Sequence, residues 1–147
     1  MARVSIYLNY MGKTEEAFNF YKQVFGTEFS GPFQRMREVP SDPNMPPLKA
    51  EEKNMIMHIE LPILGGTILM GTDMLESMGH SLQRGNNMSI NLEPDTREEA
   101  QRLFDALSEG GTVGMPLTDM FWGGSFGSLT DKFGILWMLN YSKPASK

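Results

Sequence analysis

The sequence repeats itself, and that constrains its fold more than any other feature. Ser5–Ile6–Tyr7–Leu8 returns as Ser89–Ile90–Asn91–Leu92. Lys13–Thr14–Glu15–Glu16–Ala17 returns as Thr96–Arg97–Glu98–Glu99–Ala100, and Gly66–Thr67–Ile68–Leu69–Met70 as Gly134–Ile135–Leu136–Trp137–Met138. Three blocks matched in the same order mean that one supersecondary unit occurs twice. Neither copy can bury both sides of a sheet alone, so the two halves are expected to pair. The sequence predicts one domain over 1–147: a first half at about 3–73, a linker at 74–86 and a second half at about 87–142.

Within each copy the periods separate strand from helix. Val4, Ile6 and Leu8 alternate with Ser5, Tyr7 and Asn9, which predicts one face against a helix and one turned away from it. Ala17, Phe20, Tyr21, Val24 and Phe25 then fall at helical spacing, with Glu15 and Glu16 in the first turn and Gly26 as the stop. Glu28–Val39 reads as a broken strand and Pro40–Asn54, with four prolines, as a loop. In Met55–Leu61, alternation puts Ile56, His58 and Glu60 on the face shared with Tyr7. Thr72–Gly85 has no clear period.

In the second copy Met88, Ile90 and Leu92 are expected on the helix, with Ser89 and Asn91 opposite. Thr96 and Glu99 have capping-box spacing, and Ala100, Leu103, Phe104 and Leu107 repeat the apolar helix face. Helices are therefore predicted near 13–25 and 97–109. The last hairpin places Ile135, Trp137 and Leu139 outward, leaving Met138 and Asn140 on the other face. Asp131, before Lys132–Phe133–Gly134, reads as a turn residue. Each copy is strand, helix, three strands.

Charge and composition narrow the partners. A net charge of −5 gives no basic face for nucleic acid. No apolar run approaches the roughly 18 to 20 residues that cross a bilayer, and the N-terminus enters a strand pattern without a signal-like core. There are no cysteines, so thiol and disulfide chemistry are excluded. These features suggest a cytoplasmic protein with neither membrane nor nucleic acid as partner. Thirteen methionines supply flexible gap-fillers for a core or an adaptable cavity.

Several motifs carry a resemblance: Glu15–Glu16–Ala17-x-x-Phe20–Tyr21-x-x-Val24–Phe25–Gly26, Leu69–Met70–Gly71–Thr72–Asp73, and Phe121–Trp122-x-x-x-Phe126–Gly127 with Thr130–Asp131–Lys132–Phe133–Gly134-x-x-Trp137. The chain resembles the vicinal oxygen chelate superfamily of glyoxalases, ring-cleaving dioxygenases and bleomycin-resistance proteins, and within it the PhnB-like branch. The resemblance implies an α+β fold: tandem βαβββ repeats forming a cupped mixed β-sheet with helices outside and ligand within. It also implies a homodimer, since a half-open cup leaves apolar sheet edges.

Metal-dependent members similar to glyoxalase hold their metal at four symmetric places. Carried through the repeat, these fall on Ser5, Met70, Ser89 and Met138, which are expected in one cavity. Two hydroxyls and two thioethers bring no charge to offset a dication, so neither a metal nor another cofactor is expected. The cup-lining set is then Ser5, Tyr7, Asn9, Met70, Asp73, Ser89, Asn91, Trp122, Phe126 and Met138, with Thr118 and Asp119 near its mouth. His80 reads as a solvated loop residue. His58, beside Glu60, is a candidate acid–base group, a binder of a ligand anion, or a histidine tied to a neighbouring strand.

Two functions compete. In the leading one, a metal-free, glyoxalase-related protein binds a small, partly apolar molecule. In the alternative, a lyase- or isomerase-type enzyme uses His58 with Glu60 or Asp73, or a metal held elsewhere. A methyltransferase label attached to similar sequences finds no glycine-rich nucleotide loop here.

Overall fold

The computed structural model describes residues 1–144. The chain divides into two compact units, Met1–Gln83 and Arg84–Lys147. The first unit contains β1 (Ile6–Tyr10), α1 (Thr14–Phe25), β2 (Gln34–Arg35), β3 (Ile56–Pro62) and β4 (Ile68–Asp73). The second contains β5 (Ile90–Leu92), α2 (Arg97–Ser108), β6 (Thr112–Asp119), β7 (Ser125–Thr130) and β8 (Leu136–Tyr141). Each unit is a four-stranded mixed sheet, ordered β1-β4-β3-β2 and β5-β8-β7-β6, with the first pair parallel and the others antiparallel.

The registers repeat with the sequence. Met70 lies between Tyr7 and Glu60, and Met138 between Asn91 and Ser128. Both helices pack on the other face of their own sheets. α1 buries Thr14, Ala17, Phe18, Tyr21 and Val24, so Phe18 takes the core place expected of Phe20, which is half-buried. Gly71 makes room for it: a Cβ there would stand 2.5 Å from the Phe18 ring. In α2 the buried residues are Ala100, Leu103, Phe104 and Leu107, as the spacing predicts. The glycine beneath that helix is Gly127, where a Cβ would come within 2.8 Å of Phe104. The same solution sits on the central strand in one unit and on its neighbour in the other.

The two helices begin differently. At α2, the Thr96 hydroxyl accepts the Glu99 N–H at 3.1 Å, half of the expected capping box, while the Glu99 carboxylate turns to Arg102. The corresponding residue before α1 is Lys13, which offers no side-chain acceptor. Asp73 supplies one from the end of β4, its Oδ1 accepting the Thr14 N–H (3.1 Å) and the Thr14 hydroxyl (2.7 Å).

Three predicted placements are corrected. Val4 and Met88 do not pack on the helices: they are 94% and 82% exposed, because the ladders begin only at Ile6 and Ile90. Ile56 does not share the half-exposed setting of His58 and Glu60; it is fully buried, like Ile59 and Leu61. Gln34 pairs with His58 but Arg35 pairs with Ile56, so Met57 is an extra residue on β3. Such a bulge breaks strict alternation at that point.

The proline-rich stretch includes a 3-10 turn at Ala50–Glu52. There the buried Glu52 carboxylate accepts the backbone N–H groups of Lys49 (2.9 Å) and Ser77 (3.1 Å). Asp131 shapes the last hairpin as expected, its Oδ1 accepting the Phe133 and Ile135 N–H groups and its Oδ2 the buried Trp137 indole N–H at 2.8 Å.

Candidate functional site

On the first unit's sheet, the face opposite α1 carries Tyr7 and Asn9 from β1, Met70 and Thr72 from β4, and His58 and Glu60 from β3. Just before β1, the Ser5 hydroxyl donates to the Met70 sulfur at 3.6 Å. His58 stands between two partners. Its Nε2 lies 3.0 Å from Glu60 Oε1, and its Nδ1 lies 3.1 Å from the Tyr7 hydroxyl. The Tyr7 and His58 rings are tilted at 41° with centroids 5.8 Å apart.

A carboxylate only accepts, so Nε2 carries a proton. With a neutral ring, Nδ1 then accepts the phenol proton from Tyr7. Burial pushes the Tyr7 phenol above its ordinary range; Thr72 hydrogen bonding opposes this and the nearby Glu60 charge reinforces it. Tyr7 is therefore a neutral phenol at pH 7, a donor held by histidine rather than a phenolate base.

The corresponding face of the second unit has the row Asn91, Met138 and Ser128, with Phe126 paired to Asn140. Ser89 precedes β5 and is exposed. Trp122 lies over Gly124, where a Cβ would strike its ring at 1.7 Å, and stays half-exposed; Phe121 beside it is fully exposed. Thr118 spends its hydroxyl on the Pro116 carbonyl at 2.7 Å. Asp119 accepts from Arg97 Nε (2.9 Å) and from the Ser125 hydroxyl (2.7 Å), which hold its carboxyl below its ordinary range, the Ser125 bond most. His80 is exposed, its Nδ1 accepting the Leu75 N–H at 2.9 Å.

Asp73 is corrected. It is 4% exposed and turned toward α1, with Oδ1 on Thr14 and Oδ2 on the Ile56 N–H at 2.8 Å. Both oxygens serve the fold's own donors, and the side chain is buried away from the His58 row. It is a structural acceptor.

The donor set does not fit the metal that glyoxalase-like folds imply. In the first unit the two carried-over positions are a serine hydroxyl and a thioether already turned to each other. Neither is anionic, and soft sulfur with a neutral hydroxyl is a poor set for zinc, nickel or iron. Among the described residues, no group of three or more His, Asp or Glu side chains is arranged to hold an ion.

The sequence model of the family described as 3-demethylubiquinone-9 3-methyltransferase matches residues 2–140. The chain belongs to this family. Within the 3-demethylubiquinone-9 3-methyltransferase family it is PhnB-like. It is 34% identical to protein PA1353 from Pseudomonas aeruginosa, with a TM-score of 0.81 over 98% of this chain and 100% of that one. A PhnB protein from Bacillus cereus, a putative 3-demethylubiquinone-9 3-methyltransferase, is 29% identical with a TM-score of 0.73 over 96% and 100%. Protein YjdN of Escherichia coli (strain K12) is 29% identical over 95% of each chain. Structures from the glyoxalase/bleomycin resistance/dioxygenase group, 17% and 9% identical, share the fold.

Three residues of the family member's first unit escaped the sequence reading. Glu52 looked like one charge in a polar loop; nothing local marks a carboxylate whose partner is 25 positions away. Arg35 forms a two-pronged pair with Glu15 of α1 (2.9 and 2.8 Å). Gln34 lies opposite His58 only because of the short β2 register.

Proposed function

We propose that this protein binds a small molecule without a bound metal ion, on the face of the first unit's sheet opposite α1. The Tyr7–His58–Glu60 hydrogen-bonded row beside Met70 carries the reading. It puts fixed polar groups next to polarisable apolar surface, the mixture small-molecule sites use. Ser5, Tyr7, Asn9 and Met70 are the proposed contacts on the first unit; on the second unit, taken by itself, Ser89, Asn91, Trp122, Phe126 and Met138 are the separate candidates. The acid–base alternative is less well supported. Both His58 nitrogens are already bonded, Asp73 is spent, and Tyr7 is held as a neutral phenol.

The family description names a methyltransferase, which remains a competing reading. The two strand-to-helix turns contain one glycine, Gly12, and none, so neither matches the glycine-rich turn that cradles nucleotides. In the proposed reading the protein works as a cytoplasmic homodimer, with neither membrane nor nucleic acid as partner. No helix among the described residues is long and apolar enough to cross a membrane.

The test is a fragment screen by amide and side-chain NMR on protein purified without chelator, with elemental analysis. Saturable shifts at Tyr7, His58 and Met70 in metal-free protein are expected. Stoichiometric bound metal, or a library that never perturbs this face, overturns the reading. Light scattering at tens of micromolar decides the dimer.

A further inference from the structure

The row at His58 does not end at β3. Gln34 of β2 lies directly opposite His58, so the two side chains share a face. Gln34 also lines an open groove of about 440 Å³ with Pro32, Phe33, Val39, Pro40 and Met57, mostly exposed, and with Glu38 at its side. That volume falls within the range of small-molecule pockets. One amide thus joins an apolar groove to a polar row.

The chemistry of that row selects a head group. Glu60 uses Oε1 on His58, which leaves Oε2 as an acceptor. With Tyr7 donating its proton to Nδ1, its half-exposed phenol oxygen can only accept, from Thr72 or from a ligand. The row with neutral His58 carries one negative charge and offers acceptors. Arg35, its guanidinium 5.3 Å from the centre of the Phe33 ring, is paired with Glu15 of α1, and Arg37 gives its guanidinium to the Asn54 amide oxygen. Glu38 is turned to the Arg35 backbone N–H at 2.7 Å, and still adds negative charge to the rim. An anion lying along this surface would meet the carboxylates of Glu60 and Glu38.

We propose that this groove and the Tyr7–His58–Glu60 row form one binding trough for a small amphiphile, its apolar body in the groove and a hydrogen-bond-donating, preferably cationic, head at Glu60 and Tyr7. This rests on the small-molecule-binding reading and gives it a ligand class.

Three matched probes test it at pH 7 by calorimetry and NMR: 1-naphthylmethylamine, 1-naphthylmethanol and 1-naphthoate. The amine is expected to bind at least about tenfold tighter than the carboxylate, as charge-assisted hydrogen bonding predicts, with the alcohol between them. Glu60→Gln should cost the amine more than the alcohol and erase most of the difference between them, since it removes both the charge and the free acceptor. Val39→Asn, at an exposed wall position, should weaken all three by about threefold through lost apolar contact. Shifts should reach Gln34 and Met57 as well as Tyr7.

Carboxylate binding as tight as the amine's, an amine preference that survives Glu60→Gln, or shifts that spare Gln34 and Met57 would each overturn the proposal. The wild-type probe series carries the test even if a variant folds poorly. If other fragments shift Tyr7 and His58 while these probes do not bind, the ligand class fails and the binding reading stands. If nothing binds, both fail.

Discussion

Replacing Asp73 with alanine should destabilise the protein by about 3–5 kcal/mol, since three buried donors lose one charged acceptor. The donors are the Thr14 N–H, the Thr14 hydroxyl and the Ile56 N–H, at 3.1, 2.7 and 2.8 Å. Hydrogen bonds to a charged acceptor contribute about 1.5–3 kcal/mol each, and water entering the space recovers part of the total. The helix end adds to the loss, because Lys13 cannot cap α1 in its place. Asp73→Asn should cost less, about 2–3 kcal/mol: one oxygen still serves Thr14, but the new NH2 opposes the Ile56 donor. Thr14→Val should cost about 1 kcal/mol, and the double variant should fall short of additivity by about the same amount. Urea unfolding followed by far-ultraviolet circular dichroism and tryptophan fluorescence measures all four proteins. A loss below about 1 kcal/mol in Asp73→Ala, with ligand binding abolished, would return Asp73 to the site and refute this account.

Other perturbations separate structural from binding roles. Burial pushes the Glu52 carboxyl up, but Ser77 and Lys49 hydrogen bonding and the Lys49 charge hold it below its ordinary 4.5. Its contribution is therefore complete above the unfolded value and lost as pH falls through the folded one; Glu52→Gln should flatten the acid limb of a stability–pH curve. Gly71→Val should destabilise by about 2–4 kcal/mol through overpacking against Phe18, visible in the urea midpoint. Tyr7→Phe should change stability by under about 1 kcal/mol, and absorbance difference against wild type should show Tyr7 ionising above 10. Glu60→Gln should bring that ionisation down, because the neighbouring negative charge is gone.

The architecture was legible because it rests on local signals stated twice. Period-2 and helical spacing give each element, the repeat gives their order, and Tyr7–Met70 and Asn91–Met138 then fall into the same register. Asp131 was legible as well, since its backbone partners lie two and four residues away.

What the sequence could not settle is where long-range acceptors end up. Asp73 sits in a motif beside candidate site residues, yet the helix start that needs a cap is 59 positions earlier, and the close packing of α1 on Gly71 brings them together. The bulge at Met57 depends on how β2 pairs, which strand alternation cannot reveal, and it decides that Ile56 is core. The His58 row likewise needed three strands in register before Tyr7 and Glu60 could hold one ring at both nitrogens. Local chemistry fixes elements because their hydrogen bonds close within a few residues. Side chains that bridge elements take their roles from tertiary register, where a shift of one residue turns a ligand group into a core acceptor.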